Sequence, residues 1–148
     1  NLELFNFRGS IWYFSFMGFC DGTLWQKLLG VGPALLDTVT QAQIAKADFY
    51  VEWNWLYCTA HNDLLEYLVT MGVFGAACKL LMYILPFVMY ARGKERKPEK
   101  AAVLAALVGY IGQGLFTGPY ILTYVFYIIF LGVMCAYDRM EKAKGAKA

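Results

Sequence analysis

The sequence predicts an all-α chain organised around a membrane: a polytopic fragment whose three spanning helices follow an extracytoplasmic loop with short helices. Three observations predict it. Residues 67–91 form a run of 25 whose single charge is Lys79. Residues 101–137 form a second run of 37 with no charge at all. Basic residues gather in two clusters that flank this second run.

A helix rising 1.5 Å per residue needs about 20 residues to cross a hydrocarbon core of roughly 30 Å, so residues 64–91 read as the first span. Pro86 lies inside it and is tolerated as a kink where a neighbour satisfies the carbonyl that has lost its donor. The 37-residue run is too long for one crossing. Gly118 and Pro119 divide it into spans at 101–118 and 119–137, turning between Thr117 and Tyr120. The segment RGKERKPEK, Arg92 to Lys100, carries five basic residues in nine, and the tail at 138–148 carries Arg139, Lys142, Lys144 and Lys147. Two crossings separate these clusters, so they share a side, which the positive-inside rule assigns to the cytoplasm. Residues 1–63 then lie outside. Up to Glu66 there are only three basic residues, Arg8, Lys27 and Lys46, against seven acidic ones.

Composition agrees. The chain is 59% hydrophobic and 16% charged, against about 25% charged in an ordinary soluble domain. A net charge of +2, without a basic patch interleaved with aromatics, argues against nucleic acid as a partner. Four cysteines, no CxxC pair and one histidine cannot supply a Cys/His zinc site, so no metal is expected. Cys78 and Cys135 fall in apolar runs as packing residues, while Cys20 and Cys58 share the external segment, where a disulfide would be chemically allowed. The chain opens at Asn1 without a basic n-region and short apolar core, so no signal peptide is read there and the sequence reads as a fragment or a trimmed chain.

In the external segment, the apolar lead-in at 9–20 is too short to cross alone. It is the end of a truncated span, a re-entrant element or an interfacial helix. Trp53, Trp55, Tyr57 and Tyr67 precede the first span, where amphipathic rings suit the headgroup level.

Three elements carry possible chemistry. In AHNDLLEYLVTMGVFG, residues 60–75, Asp63 and Glu66 resemble a capping pair and predict a helix starting near Leu64. His61 and Asn62 then sit just before a helix N-terminus, whose positive end favours neutral imidazole, the proton-accepting form, and attracts anions. The plainer reading of His61 is a hydrogen-bonded interfacial residue. LLGVGP, residues 28–33, suits a tight turn or a place where backbone approaches something closely, but lacks the Walker pattern and is no dinucleotide fingerprint. Arg8, entering an aromatic stretch, either snorkels to headgroups or binds phosphate bidentately.

In order and spacing, Arg8 with Ile11 and Trp12, then LLGVGP, then His61, Asn62, Leu65, Glu66, Gly72 and Gly75, the sequence resembles the O-antigen ligase family of bacterial envelope glycosyltransferases. The likeness runs from about Arg8 to Gly75, and Trp25, Gln26 and Lys27 depart from the family's usual lead-in. It implies a bacterial inner-membrane, multi-pass enzyme of which this chain is the C-terminal part, completed by N-terminal helices of the parent protein. It implies transfer of a glycan from an undecaprenyl-diphosphate carrier to a hydroxyl of an acceptor glycan or lipid, or of a protein side chain, with no metal or other cofactor. Arg8 would neutralise diphosphate charge, His61 would act as general base, and Asn62, Gly30 and Gly32 would shape or line the substrate site. Glu66 would be a helix cap. A non-enzymatic role as transporter subunit or assembly partner is the alternative. The 148 residues alone are expected to be inactive.

Overall fold

The computed structural model describes residues 8–47, 58–93, 97–117 and 121–145. They form α1 (Arg8–Asp21), α2 (Leu24–Leu29), α3 (Leu36–Lys46), α4 (Asp63–Arg92), α5 (Pro98–Gly114) and α6 (Ile121–Gly145), with no strand among the described residues. The all-α expectation therefore holds. Trp53, Trp55 and Tyr57, the centre of the basic segment at 94–96, and the expected turn at Gly118, Pro119 and Tyr120 lie outside the described residues.

The chain divides into two compact units, one comprising Asn1–Leu80 with Gly114–Pro119 and the other Leu81–Gln113 with Tyr120–Ala148. In the first, α1 buries Ser10, Ile11, Phe14, Ser15 and Gly18, positions that share one face at helical spacing. Gly18 belongs there because a Cβ would run into the Val39 side chain of α3. A capping box starts α2: the Thr23 hydroxyl accepts from the Gln26 N–H at 3.3 Å, and the Gln26 side chain accepts from the Thr23 N–H at 2.8 Å. Leu36, Ala60 and Val69 form a buried cluster, flanked by Phe19, Val31, Val39 and Leu65. Cys20 and Cys58 are exposed free thiols, so the disulfide is not formed.

The 30 residues of α4 are not one straight rod. Gly72, at φ 69° and ψ −170°, breaks it into a nine-residue limb, 63–71, and a longer limb, 73–92. Asp63 and Lys79 measure the break. Sixteen residues of straight helix would hold them about 24 Å apart, yet their side chains meet as an ion pair at 3.0 Å. The short limb therefore folds back along the long one. The helix expected over 64–91 is thus broken at Gly72, and its apolar limb after the break, 73–92, is about 30 Å long.

Two helices, α4 and α6, are long and apolar enough to cross a membrane. The third expected span corresponds to α5, whose 17 residues rise only about 25 Å. Large apolar side chains of α4 and α6 face outward, among them Phe74, Leu81, Phe87, Phe126 and Ile129.

In the second unit, Pro86 is buried and carries no N–H, which frees the carbonyl of Met82 four residues back. The Tyr127 hydroxyl donates to that carbonyl at 2.6 Å. Tyr127 is itself 1% exposed, held by the rings of Tyr83, Tyr110 and Tyr124. Nearby, buried Lys100 pairs with Glu141 at 3.1 Å and closes against Gly93, where a Cβ would displace the ammonium. This cation stands just past the C-terminus of α4, where the helix dipole favours it.

Candidate functional site

The richest polar constellation in the first unit is the start of α4. Asn62 is the true cap: its Oδ1 accepts from the Leu65 N–H at 3.0 Å, and its Nδ2 donates to the Leu115 carbonyl at 3.0 Å. The helix thus starts at Asp63, one residue before the sequence expectation, and the Asp63–Glu66 capping pair gives way to Asn62 with Leu65. Glu66 instead reaches back to accept from the Ala60 N–H at 2.7 Å, which holds the residue just before His61.

His61 is half-buried and has φ 48°. Left-handed backbone is uncommon for a side-chain-bearing residue, and histidine is among those enriched there. Between Ala60, fixed by Glu66, and Asn62, fixed at both ends of its amide, this conformation has little room to relax.

Asp63 and Lys79 lie beside this loop with fully buried side chains, and the Lys79 ammonium also stands 4.9 Å from the centre of the Tyr67 ring. An apolar groove of about 500 Å³ opens beside Asn62, lined by Leu64, Leu65 and Leu68 from the short limb and Val73, Ala76 and Leu80 from the long one.

The glycine motif supports the other end of the short limb, at the break. The Val31 and Gly32 N–H groups donate to the Val69 and Thr70 carbonyls at 3.0 and 2.9 Å, the acceptors that the break at Gly72 leaves without their helical donors. Gly30 donates to Gln26 at 2.8 Å. With all three amides engaged by protein carbonyls, Gly30 and Gly32 act as scaffold and offer no backbone donor to an anion. A Cβ on Gly30 would strike the Thr70 carbonyl and the Met71 nitrogen, and one on Gly72 the Leu28 carbonyl and the Gly30 nitrogen. Two backbones interlock here, which is the close approach LLGVGP predicts. Gly75 completes the apex, since a Cβ there would strike the Met71 side chain.

Arg8 is the first residue of α1 and is half-buried. Among the described residues no hydrogen bond or ion pair joins it to His61 or Asn62. Of the five residues singled out from sequence, His61 and Asn62 share the loop at the head of the short limb, whereas Gly30 and Gly32 meet the other end of that limb, at Thr70 to Gly72. Sequence reasoning missed the pairing of Asp63 with Lys79. Its signal was Lys79 itself, the one charge in an apolar run, since a charge at such a position needs a partner.

A second cleft of the first unit, about 310 Å³, has Asp21, Gln43 and Lys46 in its lining. Asp21 accepts from Lys46 at 2.8 Å and from Gln43 at 3.0 Å, and these donors hold its carboxyl below the ordinary carboxylate range. Comparison with protein families, curated proteins and solved structures finds no match to this chain.

Proposed function

We propose that the chain is the C-terminal part of a bacterial inner-membrane glycosyltransferase that moves a glycan from a polyprenyl diphosphate to an acceptor hydroxyl. The observation that carries the reading is the seating of His61. A strained imidazole-bearing residue stands at the head of an apolar helix, anchored on either side and next to an open apolar groove. An amphiphilic donor needs these two surfaces together: an apolar track for its isoprenoid chain, and polar groups where its diphosphate meets the sugar.

In this reading His61 takes the proton from the acceptor hydroxyl as that oxygen attacks the anomeric carbon, and the carrier diphosphate leaves with the bonding electrons. Arg8, supplied from α1, balances the charge that develops on the diphosphate. Asn62 holds the loop, Gly30 and Gly32 hold the break at the far end of the limb, and no metal is required because the leaving group is already activated. The resemblance in residues 8–75 supports the assignment to the ligase and polymerase class.

The test is His61→Ala and Arg8→Ala in the full-length protein in cells, read as surface glycan on a gel. Loss of a general base is expected to lower transfer by about a hundredfold or more. Unchanged glycan with both variants would point to a non-enzymatic membrane component instead.

A further inference from the structure

We infer that Asp63 and Lys79 are the positioning residues of this site: their ion pair binds the short limb of α4 to the long limb and so fixes the His61–Asn62 loop.

The geometry begins with the reversal. A glycine at the apex permits it, and the donors from Val31 and Gly32 satisfy the carbonyls it exposes, but both devices act at the apex end of the limb. At the other end, Asp63 is the first helical residue and adjoins Asn62 directly. The Lys79 ammonium ties that end to the long limb, at 3.0 Å from Asp63 Oδ2, with neither side chain exposed. The Tyr67 ring, one turn along the same limb, offers the ammonium a second face. A charge pair so enclosed is costly to leave half-made, because removing one partner strands the other in apolar surroundings. The open position of the limb is therefore strongly disfavoured.

The consequence concerns His61. Its backbone is left-handed, a conformation that persists only where the surroundings over-determine it. Asp63 lies two residues on, so release of the limb end frees the helix head that carries Asn62 and Glu66, the residues that hold the loop on either side of His61. The pair touches no reacting atom in this scheme and acts through the position of His61.

This inference rests on the proposed transfer reaction for its functional arm, and a structural arm keeps the two separable. Spin labels at Leu64→Cys and Ala77→Cys, in the full-length protein with the native cysteines replaced, report on the limb. Both positions line one groove in the folded-back form, whereas a straight helix would set them about 20 Å apart. Dipolar broadening is expected with Asp63 and Lys79 intact, lost in Asp63→Asn and in Lys79→Met, and regained in the exchanged pair Asp63→Lys with Lys79→Asp. Transfer with a polyprenyl-diphosphate sugar should follow the same pattern. A displaced base costs about a hundredfold in kcat, with KM for the donor little changed, and the exchanged pair recovers most of it. Broadening that survives both single variants would overturn the latch. Broadening lost with transfer intact would overturn the positioning role. If His61→Ala leaves transfer unchanged, the reaction falls, while the broadening series still decides whether the pair holds the limb.

Discussion

Each unit contains a stretch of α4 whose regular hydrogen bonding is interrupted, and the two repair it by different means. In the first, Gly72 breaks α4, and the orphaned carbonyls of Val69 and Thr70 are taken up by the backbone of another segment. In the second, Pro86 removes one donor and a single side-chain hydroxyl, that of Tyr127, replaces it. Backbone repair demands contact so close that glycine is needed on both sides of it. Side-chain repair demands only one well-placed ring. The first therefore fixes a bend of the chain, and the second merely tolerates an imperfection in a continuous helix.

The most direct way to break this contrast is Gly72→Ala. At φ 69° and ψ −170° a side chain is strained by about 1–3 kcal/mol, and the collision with Leu28 and Gly30 is with backbone that cannot swing aside. A loss of about 3 kcal/mol or more is expected, read as a fall in the thermal midpoint of the detergent-solubilised full-length protein. Tyr127→Phe should cost less, about 1–3 kcal/mol, by leaving the Met82 carbonyl without a donor. Adding Pro86→Ala restores a helical N–H, so the double variant should recover most of that loss. A double variant no more stable than Tyr127→Phe would refute the repair.

The smallest effect sharpens a second contrast, between the enclosed Asp63–Lys79 pair and the Asp21–Lys46 pair, whose side chains are 45% and 62% exposed. The depressed Asp21 carboxyl contributes stability that is present above its unfolded value near 4 and is lost as pH falls through the lower folded value. Asp21→Asn should therefore lower the midpoint slightly at pH 7, by an amount that shrinks as pH falls below about 4. Equal midpoints at pH 7 would show that the exposed pair adds nothing.

Much of the scaffold was legible before any coordinates, because its signals are local. The apolar runs mark α4 and α6, LLGVGP signals a tight turn or a close backbone approach, of which the fold shows the second, and Pro86 announces a carbonyl in need of a donor. The start of α4 was placed within a residue, although the cap was assigned to Asp63 when Asn62 performs it. The reversal was not legible. Hydropathy over residues 67–91 is the same whether the run is straight or folded, and Gly72 is one small residue among apolar ones. Long-range pairs such as Asp63 with Lys79, or Asn62 with Leu115, depend on the reversal and were hidden with it. Arg8 was singled out by its charge, a property that says nothing about which neighbours α1 brings to it.

The folded-back limb also bears on how α4, a helix long and apolar enough to cross a membrane, would enter a bilayer during synthesis. A lone ammonium near the middle of a helix opposes transfer into lipid by about 2.5–3.5 kcal/mol on insertion scales. Translation runs from the N-terminus, so Asp63 leaves the ribosome sixteen residues ahead of Lys79. By the time the cation reaches the translocon its counter-ion is already there, on a limb able to pack beside it. A segment entering lipid would then carry the Lys79 charge already paired with Asp63, on two limbs packed side by side.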